Sequence, residues 1–401
     1  MRPLCFQILE GNNMLRIYRW LRWPLLVLAV ASLIPFAAWR LTRPDILQWD
    51  DFAVYWAAGR LNASGQNPYD VEQLLDLQHQ IGRSVEELPP ETVRMWNPPW
   101  ALVLFTPFGM LPYPLARALW FLLQMSALAW SAEQLWLLGG GSPKYRLPVW
   151  LLVLSFGPTL QSLKAGQGSP LLLFALLAFL SLVRQQRGWA AGAAISLLLL
   201  KPQVCYLVLA GIILQAIRSR RWTLITGLAG VILGTILLTA LMNPIALSGG
   251  VRALLDNPAK EQATPTLGAW LRFFFGTGRT WLQFLPPVLG LLWLLWDILR
   301  RPTGERWGED LPRWVLVSLL TMPFGWVHDH IVALVALVPA GLYVGWRPRV
   351  PLWWGLWVPY IAVNAGLLFI GIYQFWYIWL APFWLLWAAM ARKFSYPAQA
   401  G

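Results

Sequence analysis

The sequence reads as an all-α polytopic membrane protein. Two observations carry this. The 401 residues are 58% hydrophobic and only 12% charged, against about 25% charged in a soluble protein. Apolar runs of roughly 20 residues, the length that crosses a bilayer, recur along most of the chain. The formal net charge of +13 does not mark a nucleic-acid binder. Lys and Arg sit in short clusters between apolar runs, as cytoplasmic loops require. No soluble domain is left over. Cys5 and Cys205 are too few for a disulfide framework, and Cys205 reads as a small core residue.

Taken in order, Arg16, Arg19 and Arg22 precede an apolar segment ending at Trp39. It reads as a signal anchor retained as the first span, 23–39, with a cleaved signal peptide as the alternative. Met14 is a second candidate start. The basic flank puts the N-terminus in the cytoplasm. Residues 40–96 form a long first extracytoplasmic loop that holds 9 of the 18 acidic residues. Within it, Val71, Leu74, Leu75 and Gln78 have helical spacing behind an Asp70 N-cap. This predicts a short amphipathic helix on the bilayer surface. About 12 apolar residues after Asn97-Pro98-Pro99-Trp100 are too few to span, so they predict a re-entrant or interfacial piece.

Spans then follow at 115–138, 147–163 and 170–183, with Lys144 and Arg146 between the first two. Residues 189–200 and 203–217 predict a hairpin ending at Arg218-Ser219-Arg220-Arg221. The next span is 222–241, and 243–280 is a second external loop. Residues 281–299 return to a basic loop at 300–313. Four further spans cover 314–327, 331–346, 351–370 and 374–390, with Arg347, Arg349, Arg392 and Lys393 inside. That makes about 12 transmembrane helices with both termini cytoplasmic, in a single membrane domain over 1–401. Central spans occupy 97–242 and C-terminal spans 281–401.

This topology puts four polar groups on one face. Asp50 and Asp51 open the first loop. Lys164-Ala165-Gly166-Gln167-Gly168, Lys201-Pro202-Gln203 and His328-Asp329-His330 each interrupt an apolar run. Charged residues at membrane depth are costly and usually face a cavity, so a single polar pocket roofed by the first loop is expected. Each group also has a plain structural reading. Either Asp can cap the helix starting at Phe52. Lys164 and Lys201 can snorkel to headgroups. Gly166 and Gly168 can be turn residues, and Pro202 a kink. His328, Asp329 and His330 in direct succession cannot all reach one ion from a helix. They suit a phosphate or sugar hydroxyl better than a metal. His79 reads as a surface residue. No phosphate-binding Gly-Lys-Ser/Thr loop, Gly-x-Ser-x-Gly elbow or Cys cluster occurs, and no metal or cofactor is expected.

The stretch Asp51-Phe52-Ala53-Val54-Tyr55-Trp56-Ala57-Ala58-Gly59-Arg60, followed by Gly65-Gln66-Asn67-Pro68-Tyr69-Asp70, resembles the first external loop of glycosyltransferase family 87. Asn97-Pro98-Pro99, Gly166-Gln167, Leu200-Lys201-Pro202-Gln203 and the turn at His328–His330 agree with it. The resemblance implies a GT-C-type helical bundle in the plasma (inner) membrane, with its active site extracytoplasmic. It implies a polyprenyl-phosphate-linked hexose donor, mannose above all, and a lipid or glycan acceptor. Asp51 matches the catalytic aspartate, with Asp50 an extra acid beside it.

Lys201, Gln203, Lys164, Gln167, His328, Asp329, His330, Arg60 and Tyr55 are then the expected donor phosphate and sugar ligands. Trp49, Tyr55 and Trp56 can stack on sugar faces or belong to the interfacial aromatic belt. The alternatives from other classes are a lipid or amphiphile transporter or flippase, and a structural subunit of an envelope assembly. A transporter should show paired inverted repeats, and none is seen.

Overall fold

The computed structural model describes residues 32–84, 93–141, 146–256, 263–301, 306–345, 350–370 and 374–395. Arg16, Arg19, Arg22, Met14, Cys5, Lys144, Arg347, Arg349, Glu86, Glu87 and Glu91 lie outside them. Among the described residues all extended regular structure is helical.

After a helix over 32–41 (α1), the first loop contributes α2 (Phe52–Ala63) and α3 (Val71–Gln80). The Asp70 cap is real: its carboxylate accepts from the Gln73 N–H at 3.1 Å. The buried face of α3, Leu74 and Gln78, packs toward α2. The short apolar piece becomes a 3-10 turn at Pro99–Ala101 and α4 (Leu102–Gly109). The long helix α5 (Tyr113–Leu138) follows.

Several segments differ from the sequence expectation. The run 147–163 is two helices, α6 (Leu147–Leu154) and α7 (Gly157–Lys164). Pro158 has no N–H to continue the first helix, and it starts the second instead. Then come α8 (Ser169–Arg184), α9 (Gly188–Ile195) with a 3-10 end at Ser196–Leu200, α10 (Tyr206–Arg218) and α11 (Trp222–Met242). The segment 243–280, expected as an open loop, is partly helical among its described residues. It holds α12 (Pro244–Asp256) and α13 (Leu267–Phe275), whose Thr266 caps the Ala269 N–H. The chain ends with α14 (Leu285–Leu299), α15 (Trp307–Thr321), a 3-10 segment Val327–Ala333, α16 (Leu334–Gly345), α17 (Val350–Phe369) and α18 (Leu380–Ser395).

Among the described residues, α11 is the one helix long and apolar enough to cross a membrane alone. Seven shorter apolar helices accompany it. The surface is turned inside out. Leu233, Leu237 and Leu241 stand exposed along one stripe of α11, and Val288, Leu292 and Leu299 along α14. Such stripes are unfavourable in water and suit hydrocarbon. The polar residues Asp50, Arg117, Gln124, Lys201 and Asp329 are buried. This is a helical membrane protein.

Close approach explains two glycines near the first loop. A Cβ on Gly59 would lie 2.4 Å from the Phe105 carbonyl oxygen, and one on Gly109 would lie 2.2 Å from the Arg60 nitrogen. Helices α2 and α4 therefore touch backbone to backbone, as small residues allow in membranes. Gly192 and Gly227 do the same between α9 and α11. Gly59→Ala should therefore lower stability by about 1–3 kcal/mol, the usual cost of overpacking. Gly234→Ala is the control, since nothing lies near its Cβ position. Thermal unfolding in detergent checks this, and equal melting of the two variants would contradict the backbone contact.

Candidate active site

Helix α5 supplies the frame. Tyr113, Arg117, Trp120 and Gln124 recur at helical spacing and form one polar face, all buried. The Arg117 Nε donates to Asp50 Oδ2 at 2.7 Å, and the Tyr113 hydroxyl donates to the same oxygen at 2.6 Å. Asp50 Oδ1 accepts from the Phe52 N–H at 3.1 Å. Asp50 thus caps α2 and pairs with Arg117, both side chains being fully buried. The rest of the α5 face grips the turn after α7. Arg117 Nη2 donates to the Leu163 carbonyl at 2.9 Å, Trp120 Nε1 to Gly166 at 2.7 Å, and Gln124 Nε2 to Gln167 at 2.7 Å.

Gly166 makes this possible. Its φ is +63°, a left-handed conformation that favours glycine. A Cβ there would lie 2.6 Å from both Asp50 Oδ1 and Phe52 Cβ. Gly166 is more than a turn residue: it lets the turn sit directly on the Asp50 carboxylate.

Asp51 is placed differently. Its N–H donates to the Ala165 carbonyl at 2.9 Å, which ties α2 to the same turn. Its side chain makes no helix-capping bond. The Asp51 carboxylate instead accepts from Gln167 Nε2, and Gln167 Oε1 accepts from the Tyr55 hydroxyl at 2.8 Å. The chain Tyr55–Gln167–Asp51 fixes which end of the Gln167 amide faces the acid. No ion pair to Asp51 occurs among the described residues. Burial pushes its carboxyl up to about 6, against the pull of the Gln167 hydrogen bond and the charges of Arg83 and Lys201.

The second hub is Lys201. Its ammonium donates to Asp329 Oδ1 at 2.8 Å and lies 3.2 Å from His328 Nε2 and 3.5 Å from Ser169 Oγ. An ammonium only donates, so His328 Nε2 is the acceptor there. Asp329 also accepts from Ser169 Oγ at 2.7 Å and from the Trp326 N–H at 2.9 Å. The counter-charge of Lys201 is an aspartate of the chain itself. Of the triplet, His330 is the residue left open: it is buried, and neither ring nitrogen has a hydrogen-bond partner.

The Asn97-Pro98-Pro99-Trp100 motif holds this hub in place. Pro202 has no N–H to close the end of the 3-10 segment before it. The Leu199 carbonyl accepts from Trp100 Nε1 at 3.0 Å, and the Leu200 carbonyl from Asn97 Nδ2 at 3.0 Å.

The remaining expected ligands divide. Gln167 and Tyr55 belong to the Asp51 network. Lys164 is exposed beside it, and Gln203 is half-buried in the turn after Lys201. Arg60 is not brought in. It lies two and a half turns along α2, exposed, stacked over Trp56 at 5.5 Å. Trp56 and Tyr55 are core rings: the Trp56 Nε1 donates to the Leu111 carbonyl at 2.9 Å, and Tyr55 stacks on Phe105. Of the three aromatics, Trp49 is the exposed one.

Sequence reasoning missed Arg117 and Arg83. Arg117 had a signal: a lone arginine in an apolar helix needs an internal partner. Arg83 had none. It is buried against Gln78 Oε1 and the Gln48 carbonyl, from where its charge acts on Asp51.

Removing the partner of Asp50 and neutralising Asp51 should have opposite outcomes for folding. Arg117→Met leaves Asp50 buried without its counter-ion, a loss of about 3–5 kcal/mol. Folded protein recovered from membranes should collapse. Asp51→Asn keeps the Gln167 partner and should melt like the wild type. Size-exclusion profiles and melting curves check both, and a well-folded Arg117→Met would remove the pair's structural role.

No curated protein and no solved structure matches the chain. The profile described as Glycosyltransferase family 87 matches residues 96–327, more than half of the sequence. The match takes in α5, the Gly166-Gln167 turn and Lys201. It begins after Asp51 and ends one residue before His328. The chain belongs to glycosyltransferase family 87 and is a glycosyltransferase.

Proposed function

We propose that the protein transfers a hexose, mannose above all, from a polyprenyl-phosphate-linked donor to a lipid or glycan acceptor. Transfer takes place on the extracytoplasmic face of the plasma (inner) membrane, in a multi-pass GT-C-type bundle with both termini cytoplasmic. Asp51 is the general base. The observation that carries this is the contrast within the acidic pair. Asp50 is spent on Arg117 and Tyr113. Asp51 is half-buried and bound by one neutral amide.

The chemistry follows from that contrast. The acceptor hydroxyl attacks the anomeric carbon and gives its proton to an Asp51 oxygen. The new C–O bond forms as the bond from that carbon to the phosphate oxygen breaks, and the phosphate leaves with the electron pair. A phosphate diester becoming a monoester is a weak base, so no general acid is needed. Positive charge or donors on its oxygens are needed. A carboxyl near pH 6 is ionised at neutral pH and still basic enough to accept a proton.

His330 and Lys164 have no protein partner in the described structure to displace, and Arg83 adds charge at the Asp51 side. Lys201 is matched to Asp329, so its first role is to hold the turn at His328–His330 against α8. The transporter and structural-subunit readings give way to the family membership.

Purified protein in lipid, given radiolabelled polyprenyl-phosphate-mannose and an envelope-lipid extract, tests the reading. The wild type should form a labelled product. Asp51→Asn should lose about 10²-fold or more of turnover, the usual worth of a general base, while remaining folded. Near-normal turnover in Asp51→Asn would sink the assignment.

A further inference from the structure

A cavity of about 550 Å³ lies at the other end of the bundle from Asp51. Two helices show the separation. Helix α5 starts at Tyr113, on Asp50, and ends at Leu138, which lines the cavity. Helix α8 starts at Ser169, on Asp329, and ends at Arg184, also in the lining. At 1.5 Å per residue these helices are about 39 and 24 Å long, of the order of a bilayer's thickness.

The lining of the cavity is mixed. It includes the apolar Leu138, Leu180, Val335, Ala336, Pro339 and Ala340. It also carries five arginines, Arg184, Arg301, Arg306, Arg313 and Arg392, against three acids, Asp297, Glu309 and Asp310. Arg301 and Arg313 are held by acids of the lining. Arg301 lies 2.8 Å from Asp297 and 2.5 Å from Asp310, and Arg313 pairs with Asp310. Arg306 and Glu309 form a loose pair at 3.9 Å, both largely exposed, which contributes little. Arg184 is exposed at the rim.

A plain structural network accounts for the Asp297 and Asp310 pairs, which tie α14 to α15. It leaves the exposed Arg184 and the loosely paired Arg306 outside it. The lining holds five arginines against three carboxylates, together with apolar side chains, around an open volume. That combination suits an amphiphile with an anionic head: its head on arginines, its first carbons on the apolar lining residues. Arginine is the side chain best matched to phosphate oxygens, and basic pockets between membrane helices bind such headgroups.

We infer that this cavity binds a terminal phosphate group at the face opposite the transfer site, with Arg184 and Arg306 as its exchangeable ligands. The group can come from a membrane lipid or from free phosphate. The cavity takes no part in the sugar transfer, so the inference stands or falls separately from the reading of Asp51.

The test uses the full-length protein in a neutral detergent, with three probes: dioleoyl phosphatidic acid, inorganic phosphate and phosphatidylcholine. Native mass spectrometry and melting temperature are the readouts. Phosphatidic acid should bind saturably and raise the melting temperature, and phosphatidylcholine should not. The double substitution Arg184→Gln with Arg306→Gln should weaken phosphatidic acid binding by about tenfold or more. The corresponding Lys double variant should recover part of the loss. Both positions are exposed, so folding should survive. If inorganic phosphate at equal concentration protects equally, in the same Arg-dependent way, the site stands and its ligand is the free ion. Binding of all probes unchanged in the Gln variant would overturn the inference. So would equal binding of phosphatidic acid and phosphatidylcholine.

Discussion

The buried pair of Asp50 and Arg117 is the constraint on which the rest of the site depends. Both side chains are withdrawn completely from solvent. Desolvating two charges is costly, and such a pair survives only where other donors complete it. Here Tyr113 and the Phe52 N–H complete the carboxylate, and the Leu163 and Lys164 carbonyls at the end of α7 accept from Arg117 Nη2. One side chain thus joins the start of α2, the face of α5 and the turn at Gly166. Successive helical residues are about 100° apart. With Asp50 fixed against α5, Asp51 points elsewhere, toward Gln167. The adjacent acids have different partners: Asp50 fixes the start of α2 against α5, and Asp51 is left to Gln167.

A second joint links the later helices by the same means. Asp329 draws Lys201 and Ser169 together, so the carboxyl end of α9's 3-10 extension, the start of α8 and the turn before α16 meet at one point. The Leu199 carbonyl that Pro202 leaves open is taken up by Trp100, and the next one, of Leu200, by Asn97. In hydrocarbon every such backbone group needs a partner inside the protein. The Asn97-Pro98-Pro99-Trp100 and Lys201-Pro202-Gln203 motifs are therefore two halves of one contact.

Much of this was legible in the sequence, and the reasons are local. Apolar runs and low charge gave the helical membrane class. Asp70 ahead of Val71 marked a capped helix because a cap and its donor lie three residues apart. The interruptions at Lys164–Gly168, Lys201–Gln203 and His328–His330 were visible as expensive polar groups. Partner choice was not legible. The Lys201 counter-ion is Asp329, far along the chain, and only packing of the 3-10 segment on α8 brings it near. Tyr113, Arg117, Trp120 and Gln124 formed a readable polar stripe and Lys164–Gly168 a readable interruption, but nothing local said that the one binds the other. Arg60 and Trp56 shared a motif with Asp51, yet helical rotation and length carry them away from it.

The central claim is that Asp51 is the ionisable base and that Gln167 holds it in its charged form. The pH dependence of kcat/KM for the acceptor tests this most directly. Burial raises the carboxyl to about 6, so activity should be full at neutral pH and fall as the pH drops through about 6. Gln167→Ala removes the donor that favours the carboxylate, so the falling limb should move to higher pH. A profile flat from neutral pH down to the ordinary carboxylate range, or a limb that Gln167→Ala leaves in place, would contradict the account.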